Sequence, residues 1–202
     1  MRLYAEHGVL AVSNRQISEA AGQGNNTAVG YHFGTRADLL RAIARRHATP
    51  VEELRARMLA ELGDGDGAGL RDWVRCLVHP ATEYLARTGR PSWFARFTAQ
   101  VVTEPSLQSA VAAETLSSPS LARTVEGLTR CLPELPADVR AERNAMTRQL
   151  LIHTMAERER ALAEGSEPPR AGWREVATGL TDALVGLWLA PVTPRTEREE
   201  LP

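Results

Sequence analysis

The chain has 202 residues and a formal net charge of −1, and its 43% apolar and 24% charged residues are typical of a globular protein rather than a disordered or strongly basic one. No stretch reaches the roughly 18 apolar residues that cross a bilayer, and the polar N-terminal residues do not read as a signal peptide, so we expect a cytoplasmic protein with no membrane partner. Cys76 and Cys131 are far apart and lack the spacing of a metal site, so we expect no disulfide, no metal and no cofactor.

Charge is spread unevenly along the chain. Residues 1–50 hold six arginines and three acidic residues, a net charge of +3, which leaves −4 for the remaining 152 residues. A mildly basic N-terminal region on an acidic body suits a region that meets phosphate groups, although a difference of a few charges also arises by chance.

The first fifty residues predict short helices separated by turns. Gly8 and Gly22 end the first and second of them, and Ser13 with Gln16 forms a capping box at the start of the second. The three helices are predicted at about residues 2–7, between Ser13 and Gly22, and at about residues 26–32. The side chains expected to face inward are Ile17, Ala20, Ala21, Val29 and Phe33.

The rest of the chain also predicts helices, with almost no strand-like alternation, so the expected fold class is all-α. A helix from about Arg36 to Leu62 either kinks or restarts at Pro50, where Thr49 and Glu52 have the spacing of another capping box. A glycine-rich loop follows at residues 63–69. The later helices are predicted at about residues 70–88, 91–103, 106–131, 137–164 and 170–190.

Two short helices of about seven residues, joined by a glycine-containing turn and flanked by a longer helix on each side, are typical of a helix-turn-helix. The second helix is too short to be stable alone, so an exposed polar face that enters a DNA groove would explain it. Asparagine suits adenine edges, threonine methyls can touch thymine, and tyrosine and histidine donate to phosphates. An ordinary polar hairpin in a helical bundle is the alternative.

Three segments resemble the DNA-binding domain of TetR-family repressors: A-E-H-G at 5–8, I-S-E-A-A-G at 17–22 and Y-H-F-G-T-R-A-D-L-L at 31–40. The resemblance covers about residues 2–45. It implies a phosphate contact from the helix-capping Ser13, base contacts from the front of the recognition helix, and phosphate contacts from its end and from Arg36. The expected DNA-binding residues are Ser13, Asn25, Asn26, Thr27, Tyr31, His32 and Arg36.

The sequence departs from the family pattern in three places. The turn before Phe33 is one residue longer, Gly30 occupies a position where the family often has a DNA-contacting tyrosine, and the first helix looks truncated at its start. A glycine inside a helix costs about 1 kcal/mol relative to alanine. We expect the natural reading frame to supply further N-terminal residues.

In this family the C-terminal helices form a ligand pocket and a dimer interface. Tyr84, Trp93, Phe94 and Phe97, with Trp73 nearby, are the expected lining of a cavity for a small apolar ligand, and a packed core is the alternative. The last helix carries an apolar stripe that we expect to pair in a homodimer, with burial inside one subunit as the alternative. The stripe comprises Trp173, Val176, Ala177, Leu180, Ala183, Leu184, Leu187 and Trp188.

These patterns predict a helix-turn-helix DNA-binding domain at residues 1–48 and a ligand-binding and dimerisation domain at residues 49–202. The expected function is a repressor that a small-molecule ligand releases from an inverted-repeat operator in double-stranded DNA. No catalytic motif is present, so an enzyme is not expected. A helical ligand-binding protein with weakened or lost DNA binding is the alternative.

Overall fold

The structure is a computed structural model that describes residues 1–23, 25, 28–89, 92–107, 117–166 and 172–193. Within these ranges every regular element is a helix, which confirms the predicted all-α class. None of the described helices is long and apolar enough to cross a membrane. In chain order the helices are α1 (Arg2–His7), α2 (Asn14–Ala20), α3 (Ala28–Phe33), α4 (Arg36–Leu62), α5 (Leu70–Thr88), α6 (Phe94–Val102), α7 (Pro119–Arg130), α8 (Ala137–Ala163) and α9 (Trp173–Leu189).

Local capping explains where several helices begin. The Ser13 amide donates to Gln16 Oε1 at 2.8 Å and Ser13 Oγ accepts from the Gln16 amide at 3.3 Å, which confirms the predicted capping box of α2. Ser118 Oγ accepts from the Leu121 amide at 3.0 Å, with Pro119 at the first helical position of α7. The prediction of one helix over 106–131 was therefore wrong, because a new helix starts at this cap.

Of the two outcomes expected at Pro50, a kink or a restart, the restart does not occur, because α4 is continuous through this residue. The Thr49 hydroxyl donates back to the Arg45 carbonyl at 3.2 Å instead of capping a new helix. Glu52 is engaged elsewhere: its carboxylate accepts from the Ser120 amide at 2.9 Å and from the Ser120 hydroxyl at 2.7 Å, at the start of α7. A tertiary contact has thus replaced the local cap that the spacing predicted.

The larger core lies between α5 and its neighbours α4, α7 and α9. Trp73 and Val78 of α5 pack with Leu184 and Trp188 of α9, and all four are almost completely buried. Most of the apolar stripe of α9 therefore faces α5 in the same subunit, which was the alternative interpretation of the stripe. Arg143 of α8 closes the end of α9 by donating to the carbonyls of Trp188 at 2.8 Å and Ala190 at 2.6 Å.

A second core joins the N-terminal helices to α6. Tyr4 of α1, Val29 of α3 and Leu40 of α4 belong to the same buried cluster as Phe97 and Val101 of α6. The boundary expected between residues 48 and 49 falls inside α4, so the N-terminal and C-terminal regions share a helix as well as this core.

The inward faces of the two short helices differ from the prediction. Ala20 and Ala21 are exposed and Ile17 is half-buried, whereas Ser18 is the buried residue of α2. Val29 is buried as expected, but Phe33 is 42% exposed. Phe33 is the last residue of α3, and Gly34, at φ 76°, turns the chain into α4, so the Phe33 ring lies outside the core.

Candidate nucleic-acid interface and sensing region

The exposed side of α3 is polar and aromatic. Tyr31 is 86% exposed, and its ring meets the exposed His32 ring edge-on with centroids 5.2 Å apart. Asn25 is exposed just before the helix. Asn26 and Thr27, the expected base-reading residues, lie outside the described residues. Because Val29 anchors α3 from the opposite side, Tyr31 and His32 are available for contact with another molecule.

Ser13 is exposed at the start of α2, but its hydroxyl is engaged in the helix cap. Its Oγ accepts from the Gln16 amide and lies 2.9 Å from Gln16 Oε1, to which it donates. A phosphodiester only accepts hydrogen bonds, so a phosphate contact at Ser13 requires its hydroxyl proton to turn away from Gln16, and the contact remains a prediction.

Arg36 fixes the turn that connects α1 and α2. Its guanidinium donates to the carbonyls of Val9 at 2.8 Å, Leu10 at 3.3 Å and Val12 at 3.0 Å. With these donors committed to the backbone, the geometry favours a positioning role for Arg36 over a phosphate contact. The sequence analysis singled out Arg36, but it could not predict that these three carbonyls, 24 to 27 residues away in the chain, accept its hydrogen bonds.

Ion pairs reduce the effective positive charge of the N-terminal region. Arg2, Arg15 and Arg41 lie near Glu6, Glu19 and Asp38 respectively, on the surface. Hydrogen bonds from the Thr35 side chain and backbone lower the pKa of Asp38 and keep it ionised. Exposed pairs of this kind are worth little, so a nearby phosphate can compete with each acid for its arginine.

An aromatic cluster lies where α4, α5 and α6 meet. The His47 ring stacks on Phe94 with centroids 4.4 Å apart and an interplanar angle of 16°, and its Nδ1 hydrogen-bonds to the Tyr84 hydroxyl. Burial lowers the pKa of His47, and the nearby Arg46 lowers it further. The sequence analysis missed His47, although its spacing after Leu40 and Ala44 places it on the inner face of α4.

The cluster borders a cavity of about 410 Å³. Of the expected ligand-binding residues, Tyr84 and Trp93 line this cavity together with His47. Phe94 does not line it but stacks against His47. Phe97 is 1% exposed and packs on Tyr4, with ring centroids 6.2 Å apart, so it belongs to the core that joins α1 to α6. Trp73, also expected nearby, is buried against α9.

Glu159 of α8 caps the N-terminus of α6 from a distance of more than sixty residues in the chain. Its carboxylate is 2% exposed. It accepts from the Ser92 hydroxyl at 2.6 Å, from the amides of Ala95 at 3.2 Å and Arg96 at 2.9 Å, and from Arg96 Nε at 3.4 Å. Since α6 also carries Phe97, this helix is held by α8 on one side and by α1 on the other.

The described residues contain no group of three or more His, Cys, Asp or Glu side chains that could hold a metal ion. The structure combines three features: α3 is an exposed polar helix in the N-terminal region, cavities lie among the later helices, and α6 contacts both α1 and α8.

Comparisons with known proteins agree with this arrangement. Residues 75–186, more than half of the chain, match the family model described as "Tetracyclin repressor-like, C-terminal domain". The fold is similar to that of a TetR family transcriptional regulator, PfmR from Thermus thermophilus, with a TM-score of 0.55, 16% sequence identity, and coverage of 95% of this chain and 92% of that chain. A comparison with curated proteins finds no match. The family model matches residues 75–186, whereas the resemblance noted in the sequence covers about residues 2–45. The family model and the resemblance therefore rest on different parts of the chain.

Proposed function

Because the chain belongs to the TetR family of transcriptional regulators, which is not a family of enzymes, we propose that it is a repressor that leaves its operator when a small molecule binds to its C-terminal helices. The observation that supports ligand control most directly is the position of α6. This helix is capped by Glu159 and packs against Tyr4 through Phe97, so a change near α8 displaces the helices that support α3.

We place α3 in the major groove. Asn25, Asn26 and Thr27 lead into the helix and read base edges, whereas Tyr31 and His32 contact phosphates. The 86% exposure of Tyr31 supports this role, because its ring and hydroxyl are open to a partner molecule. A homodimer in the cytoplasm presents two such helices to an inverted repeat whose half-sites are roughly 34–36 Å apart.

Ligand control follows from two states of the dimer. A ligand that binds the state with misplaced recognition helices more tightly shifts the population toward it and lowers the affinity for DNA. Tyr84 and Trp93 line one cavity in which a largely apolar ligand would lie, beside His47 of α4. Since α4 continues into the N-terminal region, this cavity also adjoins an element that supports α3.

The test is selection of bound sites from random DNA, followed by titration of the selected duplex. Asn26→Ala should relax the preference at particular base pairs, by about 1–3 kcal/mol for each base pair that the side chain reads. Tyr31→Ala and His32→Ala should weaken binding to all sequences alike. Thr129→Ala, a change of an exposed residue on α7, is the matched control. An unchanged preference profile for Asn26→Ala would overturn the base-reading role.

The alternative is a ligand-binding protein whose DNA binding is weakened or lost. Gly30 favours it: this residue weakens α3, and a Cβ added there would meet nothing within 4 Å, so packing within the subunit does not require glycine. A chain that binds small molecules but no selected duplex at moderate salt, and whose Gly30→Ala variant gains DNA binding, would support this alternative.

A further inference from the structure

A second cavity, of about 470 Å³, lies where the C-terminal ends of α5 and α8 meet the start of α9. Its apolar wall is formed by Leu85, Leu162 and Trp173. The volume is within the range of small-molecule sites, roughly 300–1,000 Å³, and such sites combine apolar walls with a few polar groups.

Two charged side chains line this cavity among the described residues, and both are almost completely buried: Arg158 at 5% and Glu159 at 2% exposure. Both oxygens of the Glu159 carboxylate already accept hydrogen bonds at the start of α6, including one from Arg96. The Arg158 guanidinium has five N–H donors in a planar fork, so it can hold a protein partner on one edge and a carboxylate on another.

Gly172 and Trp173, at the N-terminal end of α9, also line the cavity. The Gly172 amide already donates to the Glu175 carboxylate at 2.6 Å, so an acid of the first turn caps this helix end. The attraction for an anion therefore comes from the Arg158 guanidinium beside the apolar walls.

We propose that this cavity binds a small amphipathic carboxylate, with its carboxylate on Arg158 and its apolar part against Leu85, Leu162 and Trp173. The binding itself is independent of DNA. Its regulatory consequence rests on the proposed function: the occupant contacts Glu159 and Ser92, the cavity-lining pair that holds the start of α6, so it is positioned to change the support of the DNA-binding helices.

The ligand class is tested with octanoate, 1-octanol and octylamine, each titrated into the full chain below the concentration at which it forms micelles. Octanoate should bind about tenfold to a hundredfold more tightly than the alcohol, the range expected for a hydrogen bond to a charged group. Arg158→Met should remove that preference. Arg160→Met, on the exposed side of the same helix, should keep it. Equal binding of the three probes, or tighter binding of octylamine, would overturn the proposal.

The location is tested by fluorescence, because Trp173 lines this cavity and Trp93 lines the other one. The octanoate response should disappear in Trp173→Phe and persist in Trp93→Phe, and the opposite pattern would overturn the assignment. These fluorescence and titration measurements need no DNA.

The failure of this inference can be distinguished from the failure of the proposed function. If octanoate does not bind while the chain still binds its selected duplex, only this inference fails. If octanoate binds as described and no duplex is bound, only the proposed function fails. Should Arg158→Met not fold, the three-probe comparison on the unaltered chain and the tryptophan pair decide the question.

Discussion

At the scale of single residues, arginine side chains donate hydrogen bonds to backbone carbonyls in several parts of this chain. Arg36 joins the turn after α1 to α4, Arg143 closes the end of α9, and the buried Arg55 donates to the Cys76 carbonyl at 3.2 Å. All basic residues are arginine, since the sequence contains no lysine. A planar guanidinium can reach two or three carbonyl oxygens at once, which a single ammonium group does less well. Lysine is therefore not a conservative replacement at these positions.

Arg36→Lys separates the two roles considered for this residue. If Arg36 positions the turn through Val9, Leu10 and Val12, the variant should lose about 2 kcal/mol of unfolding free energy in a urea titration, because hydrogen bonds to a charged donor are replaced only in part. Arg15→Lys is the control, since solvent screens its exposed pair with Glu19 and the stability should not change measurably. If Arg36→Lys leaves the stability unchanged, whereas Arg36→Ala, which removes the charge, makes DNA binding weaker and less salt-dependent, the phosphate contact predicted from the sequence is supported instead.

The buried His47 predicts a loss of stability in mild acid. Burial lowers the pKa of His47 below its ordinary value of 6.5, so the folded state prefers the neutral ring. Stability is complete above the unfolded pKa, and it decreases as the pH falls below 6.5 toward the folded pKa, because the unfolded chain takes up the proton first. Thermal unfolding between pH 7.5 and about pH 5.5 measures this.

His47→Phe keeps the stacking on Phe94 and should reduce the dependence of stability on pH in that window. His79, whose pKa burial also lowers, continues to contribute, so the dependence should decrease without vanishing. A slope in His47→Phe equal to that of the original chain would show that protonation of His47 is not coupled to folding.

Residue-level prediction from the sequence succeeded where the interaction is local. The capping box of Ser13 and Gln16 spans three residues, and residue spacing alone predicts it. Glu159 on the start of α6 and Glu52 on the start of α7 join positions more than sixty residues apart, and only the folded chain brings these groups together. For the same reason the sequence analysis proposed Tyr84 and Trp93 as cavity-lining residues but did not identify His47, which lines the same cavity.

At the scale of helices, periodicity predicts that a face is buried but not what covers it. The stripe on α9 was assigned to a dimer partner, yet Leu184 and Trp188 pack against α5 of the same subunit. Proline is an equally incomplete signal, because its cost in a helix, about 3 kcal/mol, ends a helix only when no tertiary packing offsets it. At Pro50, contacts from α4 to α5 and α7 maintain one continuous helix.

The space around two helical glycines predicts opposite effects on stability when each is replaced by alanine. A Cβ on Gly127 of α7 would lie 2.4 Å from ring atoms of the buried Trp73, so Gly127→Ala should lower the unfolding free energy by about 1–3 kcal/mol despite its higher helix propensity. Gly30→Ala on α3 meets nothing within 4 Å and should raise helix stability by about 0.5–1 kcal/mol. Both are measured by chemical denaturation.

Trp73→Phe in the Gly127→Ala background checks the cause, because the smaller ring should recover part of the loss. Absence of a loss in Gly127→Ala itself would mean that α5 and α7 are less closely packed in solution than the structure indicates.

At the scale of the whole molecule, the N-terminal helices are not an independent unit. Their core includes Phe97 and Val101 of α6, and α4 runs from the helix-turn-helix into the C-terminal region. The sequence predicted helices in both regions, and the domain boundary that it placed between residues 48 and 49, which lies within α4, stays a prediction. The proposed ligand control would act through this shared core, because the core links the two regions directly.

The dimer that the proposed function requires has to use a surface that the subunit leaves open. On α9 this surface includes Ala183, Gly186 and the 55% exposed Leu189, at spacings that place them along one side of the helix. Small residues allow a second helix to approach closely, and Gly186 meets nothing within 4 Å in its own subunit. We therefore expect α9 to pair with α9 and α8 of a second copy across this side.

Gly186→Arg tests the interface without disturbing the subunit, because the added side chain has open space in the monomer and none in a close helix pair. Sedimentation at tens of micromolar should show a dimer for the original chain and a folded monomer for the variant, with unchanged helical circular dichroism and weaker binding to an inverted repeat. Ala60→Arg, on the exposed side of α4, should remain dimeric.

Leu184→Asp would not test the interface. Leu184 is fully buried within its own subunit, so an aspartate there unfolds the monomer whatever the oligomeric state. A Gly186→Arg chain that sediments as the original dimer would exclude this side of α9 from the interface.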